Sequence, residues 1–469
     1  MEQRETICAI ATPGGTGAIA VIRLSGRDAI AIGDFIFTPV QSGKSLHDQK
    51  ANTIHYGSIK DNDKLIDEVL ISVFKAPRSY TGEDVLEISC HGSPFIQQRI
   101  LQLLIHNGAR MASPGEFTMR AFLNGKMDLS QAEGVADLIS SSSEAAHKMA
   151  LQQMRGGFSK EIKHLRDQLL HFTSLIELEL DFSDEDVEFA DRQHLRNLLE
   201  QIDQKIKRLA ESFSAGNVIK HGVPVTIIGS PNVGKSTLLN ALLNEERAIV
   251  SEIEGTTRDV IEDVITIEGI AFRFIDTAGL RKTKDKIETV GIQKAREKIE
   301  KASLVLYIID ATKSTEQINA YISELKEILT EHPKNIIYLV NKIDSVEKQK
   351  LDDITPHNIP SLSTDDTIIH ISAKSMTNID QVADALVQSQ HLEQYMQQDL
   401  IVTNARHYEA LSNAAEAIYR VTKGLDSELP GDLLAQDIRQ ALHYLGEITG
   451  EITTNEVLEH IFSHFCIGK

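Results

Sequence analysis

The sequence predicts an α/β plus all-α protein: an N-terminal α/β unit, then a helical domain into which a P-loop nucleotide-binding module is inserted. Three observations predict it. Short β-branched runs separated by turns occupy residues 1–121, the apolar period changes to 3.6 from residue 122 onward, and an intact G-x-x-x-x-G-K-S stands at residues 229–236. A length of 469 residues leaves room for roughly two to four domains. An apolar content of 41% suffices for their cores.

Within residues 1–121, strand-like runs at 6–11, 18–24, 69–74 and 85–89 surround one helical pattern at 95–106. In residues 122–218, Ile162, Leu165, Leu169, Phe172, Ile176 and Leu180 recur every three or four positions. So do Leu195, Leu198, Leu199, Ile202, Ile206, Leu209 and Phe213. Two long amphipathic helices need something to cover their apolar stripes. Matching stripes lie far downstream, at Tyr408, Leu411, Ala415 and Ile418, and again at Leu434, Ile438, Ala441, Leu442, Leu445 and Ile448. The helical domain is therefore expected in two halves, 122–218 and 381–469, around a module at 219–380. Insertion at a loop tip is well tolerated, and residues 214–217 and 375–378 are suitably turn-rich.

The module reads as a mostly parallel sheet with helices on both faces. Gly229-Ser-Pro-Asn-Val-Gly-Lys-Ser236 follows an apolar run at 223–228 and precedes a helical pattern at 237–243. Backbone N–H groups around Asn232, Val233, Gly234, Lys235, Ser236 and Thr237 would wrap a β-phosphate at a helix N-terminus. Lys235 would reach the β/γ-phosphates, and the Ser236 hydroxyl would ligate Mg²⁺. Gly255-Thr256-Thr257-Arg258-Asp259 supplies a threonine, Thr257, for magnesium and the γ-phosphate. A strand at 272–275 ends in Asp276-Thr277-Ala278-Gly279, an aspartate for the metal and a glycine N–H for the γ-phosphate. A strand at 336–340 ends in Asn341-Lys342-Ile343-Asp344, whose aspartate accepts two guanine N–H groups that adenine lacks. A strand at 367–371 ends in Ser372-Ala373-Lys374, a loop to close over the base. Together these motifs predict a segment that binds and switches on GTP.

Position 280 is leucine, where Ras-like proteins carry the glutamine that orients the attacking water. Leucine can do neither that nor stabilise charge. Either hydrolysis is very slow, or another group holds the water and another cation replaces an arginine finger. Asn232, with Ser251, Glu252, Ile253, Glu254, Gly255 and Thr256, forms an oxygen-rich set that could hold K⁺ beside the phosphates, through Asn232, Ser251, Ile253 and Thr256. The alternative is that Asn232 caps its own loop. Glu288 is the best candidate to orient water; the alternative is a solvated charge in a Lys/Asp/Glu-rich loop.

Net charge is −20, against a general nucleic-acid binder, so any RNA contact must be local or shared with a partner. Seven acids in residues 177–188 form either a solvated helix end or a docking surface for a basic partner. No run of about 18 apolar residues suggests a membrane span, and Met1-Glu2-Gln3-Arg4-Glu5 is too charged for a signal peptide. Three separated cysteines, Cys8, Cys90 and Cys466, argue for a reducing cytoplasm and against disulfides or zinc.

The chain ends Phe465-Cys466-Ile467-Gly468-Lys469. This is not a lipidation box, because residues 459–465 are not basic. It resembles the ending of the tRNA modification GTPase family, MnmE/TrmE. Further matches are Ala11-Thr-Pro-Gly-Gly15, Ile22-Arg23-Leu-Ser-Gly26, Tyr80-Thr-Gly-Glu-Asp-Val-Leu-Glu87, His91-Gly92, Ser113-Pro-Gly-Glu-Phe117, Leu123-Asn-Gly-Lys126, Asp128-Leu-Ser-Gln-Ala-Glu133 and the 255–259 loop. The resemblance implies a cytoplasmic homodimer joined through N-terminal folate-binding domains. It also implies an FAD- and NADH-dependent partner subunit, giving a heterotetramer. Together these install a (carboxymethyl)aminomethyl group on C5 of the wobble uridine of certain tRNAs. The one-carbon unit would come from 5-formyl-tetrahydrofolate or a related reduced folate. Carried over residue by residue, the folate contacts are Arg23, Glu87, Lys126 and Lys469, the catalytic glutamate is Glu288, and Cys466 is a candidate reactive thiol. Two other functions compete: a ribosome-assembly switch with no chemistry of its own, and a folate-dependent methyl-transfer enzyme with a vestigial GTPase. The N-terminal motifs disfavour the first, and the intact nucleotide motifs disfavour the second.

Overall fold

The computed structural model describes residues 5–40, 43, 45–62, 64–181, 192–245, 248–251, 263–275, 296–297, 299–331, 334–389, 400–427 and 429–468. The chain divides into two compact units. One comprises Met1–Ala136, Gln152–Ile202 and Asn413–Lys469, the other Asp137–Leu151 and Asp203–Ser412.

The first unit opens with β1 (Ile7–Ile10), β2 (Ile19–Ser25), α1 (Ala29–Ile36), β3 (Phe37–Pro39), β4 (Thr53–Asp61), β5 (Lys64–Phe74), β6 (Val85–His91), α2 (Pro94–His106) and β7 (Arg110–Met111). They form a seven-stranded sheet in the order β3-β4-β5-β6-β2-β1-β7. Every pairing is antiparallel except β1 with β7. Alternation decides the faces: Val69, Ile71 and Val73 of β5 are buried, while Glu68 and Leu70 are exposed. The buried face joins Ile22, Leu24, Ile59 and Ile88 to Ile30 and Ile36 of α1 and Ile100 and Leu104 of α2. The opposite face presents Ile19, Ile54, Tyr56 and Leu70, all exposed.

Helices follow: α3 (Glu116–Leu123), α4 (Leu129–Ser140), α5 (Glu144–Met154), α6 (Gly157–Asp181), α7 (Arg192–Glu211) and α8 (Phe213–His221). Ile162, Leu165, Leu169, Phe172 and Ile176 of α6 are buried.

The second unit is built on β8 (Val223–Gly229), α9 (Lys235–Leu243), β9 (Ala248–Ser251), β10 (Asp263–Ile267), β11 (Ile270–Phe274), β12 (Leu304–Asp310), α10 (Thr315–Glu331), β13 (Asn335–Asn341), α11 (Lys348–Asp352), β14 (Thr367–His370) and α12 (Ile379–Gln388). Its sheet runs β14-β13-β12-β8-β11-β10-β9. Pairing is parallel from β14 to β11 and antiparallel through β10 to β9. All seven residues of β12 are buried, because both faces of the sheet are covered. Leu304, Leu306 and Ile308 pack with Leu238 and Leu242 of α9 and Val382 and Leu386 of α12. Val305, Tyr307 and Ile309 pack with Ile318, Ile322 and Leu325 of α10.

The chain closes with α13 (Ala405–Asp426), α14 (Gly431–Thr449) and α15 (Asn455–Ser463). In the first unit α14 packs along α6, with Leu434, Ile438, Leu445 and Ile448 buried. Residues 182–188 of the acidic stretch lie outside the described residues. Among the described residues no helix is long and apolar enough to cross a membrane.

Candidate functional site

Strand β8 delivers the 229–236 loop directly into the first turn of α9. The loop curls because two of its residues take left-handed backbone: Asn232 at φ 58° and Gly234, the N-cap of α9, at φ 107°. At Gly234 only glycine fits. A Cβ there would lie 2.4 Å from Asn341 Nδ2. Lys235 folds back over the loop, its Nζ donating to the carbonyls of Gly229 (2.8 Å) and Ser230 (3.1 Å). Val233 is fully buried and anchors the loop in the core.

Asn341, at the end of β13, ties the loops together. Its Nδ2 donates to the Val233 carbonyl (2.8 Å), and its Oδ1 accepts from the Ala373 N–H (3.0 Å). One buried amide therefore fixes the phosphate loop, the 341–344 loop and the 372–374 loop relative to one another. Asp344 is exposed. The Ser372 hydroxyl donates to its Oδ1 (2.6 Å) and that of Ser345 to its Oδ2 (3.2 Å). The Ser372 bond holds the carboxyl below its ordinary range, so it stands ionised. Lys374 is exposed beside this loop.

Lys342 sits at φ 71°, and its ammonium reaches Asp310 Oδ2 at 2.7 Å. Thr312 adds two bonds to Asp310 Oδ1. Burial alone would raise the Asp310 pKa; the Lys342 and Thr312 hydrogen bonds outweigh it and hold the group low. The sequence motifs do not single out Asp310. Its signal is an apolar run, 304–309, ending in a carboxylate, the same pattern by which β13 ends in Asn341.

Glu252, Ile253, Glu254, Gly255, Thr256, Thr257, Asp276, Thr277, Ala278, Gly279, Leu280 and Glu288 lie outside the described residues, and of Ser251 only the backbone, at the end of β9, is described. The structure thus places Ser236 but not Thr257, and Asn232 but not Ile253 or Thr256.

In the first unit, Arg23 of β2 and Glu87 of β6 are direct cross-strand partners. Arg23 Nε and Nη2 both donate to Glu87 Oε1, at 3.0 and 2.7 Å. The guanidinium lies 5.6 Å from both the Tyr80 and Phe117 ring centres, and its Nη1 donates to the Gly468 carbonyl at 3.5 Å. Gly468, at φ 94°, tucks against β1 so closely that a Cβ would sit 2.2 Å from the Ile10 carbonyl. The Gly115 N–H donates to the Cys466 carbonyl (3.4 Å), and the Cys466 side chain is exposed. Lys126 is directed elsewhere, donating to the Pro77 carbonyl (2.9 Å). Lys469 lies outside the described residues. Beneath this site, buried Arg120 binds Glu83 (3.0 Å) and Glu116 (2.9 Å), joining the 80–87 and 113–117 loops.

The family profile for the GTP-binding protein TrmE N-terminus matches residues 6–126, and that for the MnmE helical domain matches residues 129–466. A "tRNA modification GTPase MnmE" of Bacteroides fragilis is 55% identical over 99% of this chain and 100% of its own length. One of Bacteroides thetaiotaomicron is 56% identical with the same coverage. Among solved structures, Aquifex aeolicus Era bound to GDP.AlF4- is 25% identical over 42% of this chain and 66% of its own, with a TM-score of 0.26.

Proposed function

The chain belongs to the tRNA modification GTPase family, MnmE/TrmE, and from that premise we propose how its residues divide the work. It is a GTP hydrolase of tRNA modification. The observation that supports the nucleotide site best is the Asn341 amide, which brings the phosphate loop and the two base-reading loops into one frame. In that frame the 232–237 loop holds phosphates, and the Lys235 ammonium exchanges its loop carbonyls for β/γ-phosphate oxygens. Ser236 and Thr257 hold Mg²⁺. Asp344, kept ionised, accepts from two guanine N–H groups, and Ser372, Ala373 and Lys374 close over the base.

Bound beside the phosphates through Asn232, Ser251, Ile253 and Thr256, K⁺ would supply the positive charge that an arginine finger supplies elsewhere. Glu288 orients the attacking water in place of a glutamine at position 280. Hydrolysis drives domain movement. Arg23, Glu87, Lys126 and Lys469 bind a reduced folate, with Cys466 as a reactive thiol. Arg23, paired with Glu87 and flanked by two aromatic rings, suits a ligand that is both anionic and flat. The domains are 1–121 for folate and dimerisation, 122–218 and 381–469 for the helical domain, and 219–380 for GTP. A partner subunit carrying FAD completes the addition to the wobble uridine in the cytoplasm.

Mass spectrometry of wobble uridines from a deletion strain complemented with this chain tests the reading. Restored (carboxymethyl)aminomethyl-uridine supports it, and an unmodified position 34 removes it. GTPase rates in potassium and sodium at matched ionic strength test the cation site; equal rates exclude it.

A further inference from the structure

The geometry points to the β10–β11 hairpin as a mechanical link that carries the state of the nucleotide site to residues 137–151 of the helical region. The link rests on the GTP-hydrolysis reading above and names the part that moves. β10 begins at Asp263, just after the 255–259 loop, and β11 stops at Phe274, just before Asp276. In the chain, the two loops assigned to γ-phosphate sensing therefore flank one ribbon. Its strands pair in unbroken register from Asp263 with Phe274 to Ile267 with Ile270, so the ribbon shifts as a piece.

On its β11 side the tip runs past β8, while on its β10 side Ile267 still pairs with Ala248 of β9. β8 pairs with β11 only from Phe272 onward, leaving Ile270 and Ala271 beyond its first residue. There Ile267 and Ile270 enter one apolar cluster with Ala145 of α5 and Ala215 and Ile219 of α8, with Met149 against it. The Gly269 carbonyl accepts the Ala145 N–H at 3.4 Å. Ser143 caps α5, its Oγ accepting from the Ala146 N–H (3.2 Å). Behind this junction, Lys220 of α8 pairs with Asp137 of α4 at 2.8 Å.

Residues 137–151 are the only described part of the second unit that precedes residue 203 in the chain. At both ends, 136 and 152, they continue into the first unit. A close-packed junction transmits displacement instead of absorbing it, so movement of the ribbon must move α5. This is a positioning role: none of these residues is among those assigned to the nucleotide.

Hydrogen exchange on the full-length chain, in potassium with GDP and with GDP plus aluminium fluoride, tests the link. Exchange at the 145–149 amides is expected to differ by about tenfold between the two states. Ala145→Glu, which puts a charge into the apolar junction, should abolish that difference while basal GTP turnover stays unchanged, and wobble-uridine modification should fall about tenfold or more. Lys220→Met is the second variant should Ala145→Glu fail to fold, and should shrink the same difference. Nucleotide binding with identical exchange in both states overturns the link and leaves the GTP reading standing. No guanine-nucleotide binding at all overturns both.

Discussion

The two seven-stranded sheets place their candidate sites in opposite ways. In the GTPase sheet both faces are covered, so neighbouring positions such as Val305 and Leu306 are equally buried. No face is left for a ligand, and chemistry moves to the loops at the strand ends, as parallel sheets dictate. In the N-terminal sheet the second face is covered only in part: Ile7 and Ala9 of β1 are buried with Phe117, while Ile54 and Leu70 of β4 and β5 stay exposed. Its site is a half-buried cross-strand pair, Arg23 with Glu87, in mid-strand at the margin of that cover. A doubly covered sheet therefore encodes function in its punctuation, and a partly covered one encodes it in its alternation.

Core substitutions test that contrast most strongly. Leu306→Ala and Ile71→Ala, both fully buried, should each cost about 2–5 kcal/mol. Leu70→Ala, on the exposed face next to Ile71, should stay within about 0.5 kcal/mol. Urea unfolding distinguishes them, and equal losses at 70 and 71 would erase the difference between the sheets.

Loop chemistry comes next. Glu288→Ala should lower kcat roughly a hundredfold with nucleotide affinity little altered. Potassium-stimulated turnover that survives the change would move the water-holding role to another residue, with Arg258 and Arg281 next to test. Asp344→Asn should weaken GTP binding by about tenfold or more and favour xanthosine nucleotides, since it exchanges an ionised acceptor for an amide. Unchanged GTP affinity, read by titration calorimetry, would remove the guanine-reading assignment.

The smallest effect belongs to Asp310. Its folded-state pKa lies below the unfolded value, because the Lys342 and Thr312 hydrogen bonds outweigh the burial that opposes them. Its contribution is therefore fully present above the unfolded pKa and is lost as pH falls through the folded one. Asp310→Asn should flatten the acid limb of stability below about pH 4 and loosen Lys342. An unchanged acid limb would show that the Lys342 pair contributes nothing.

The sequence by itself determined the parts of the molecule that are local. Continuous apolar runs gave β8 and β13 their buried, parallel character, and the 3.6 spacing located α6, α7, α13 and α14. The glycine and lysine of the phosphate loop are legible because each answers a constraint within a few residues: a left-handed φ at Gly234, and a cation one position on. Helix α1 was harder to read, since Ala-Ile-Ala-Ile is apolar on every side and has no helical period to detect. What only the tertiary structure decided are pairings between distant residues. Asn341 reaching Val233, Lys342 reaching Asp310, Arg23 reaching both Glu87 and Gly468, and the 267–271 turn seated on Ala145 all join residues that share no spacing. Periodicity records which face of an element is buried; it holds no record of what lies across the gap. That is set when the elements pack and each buried polar group must find its partner.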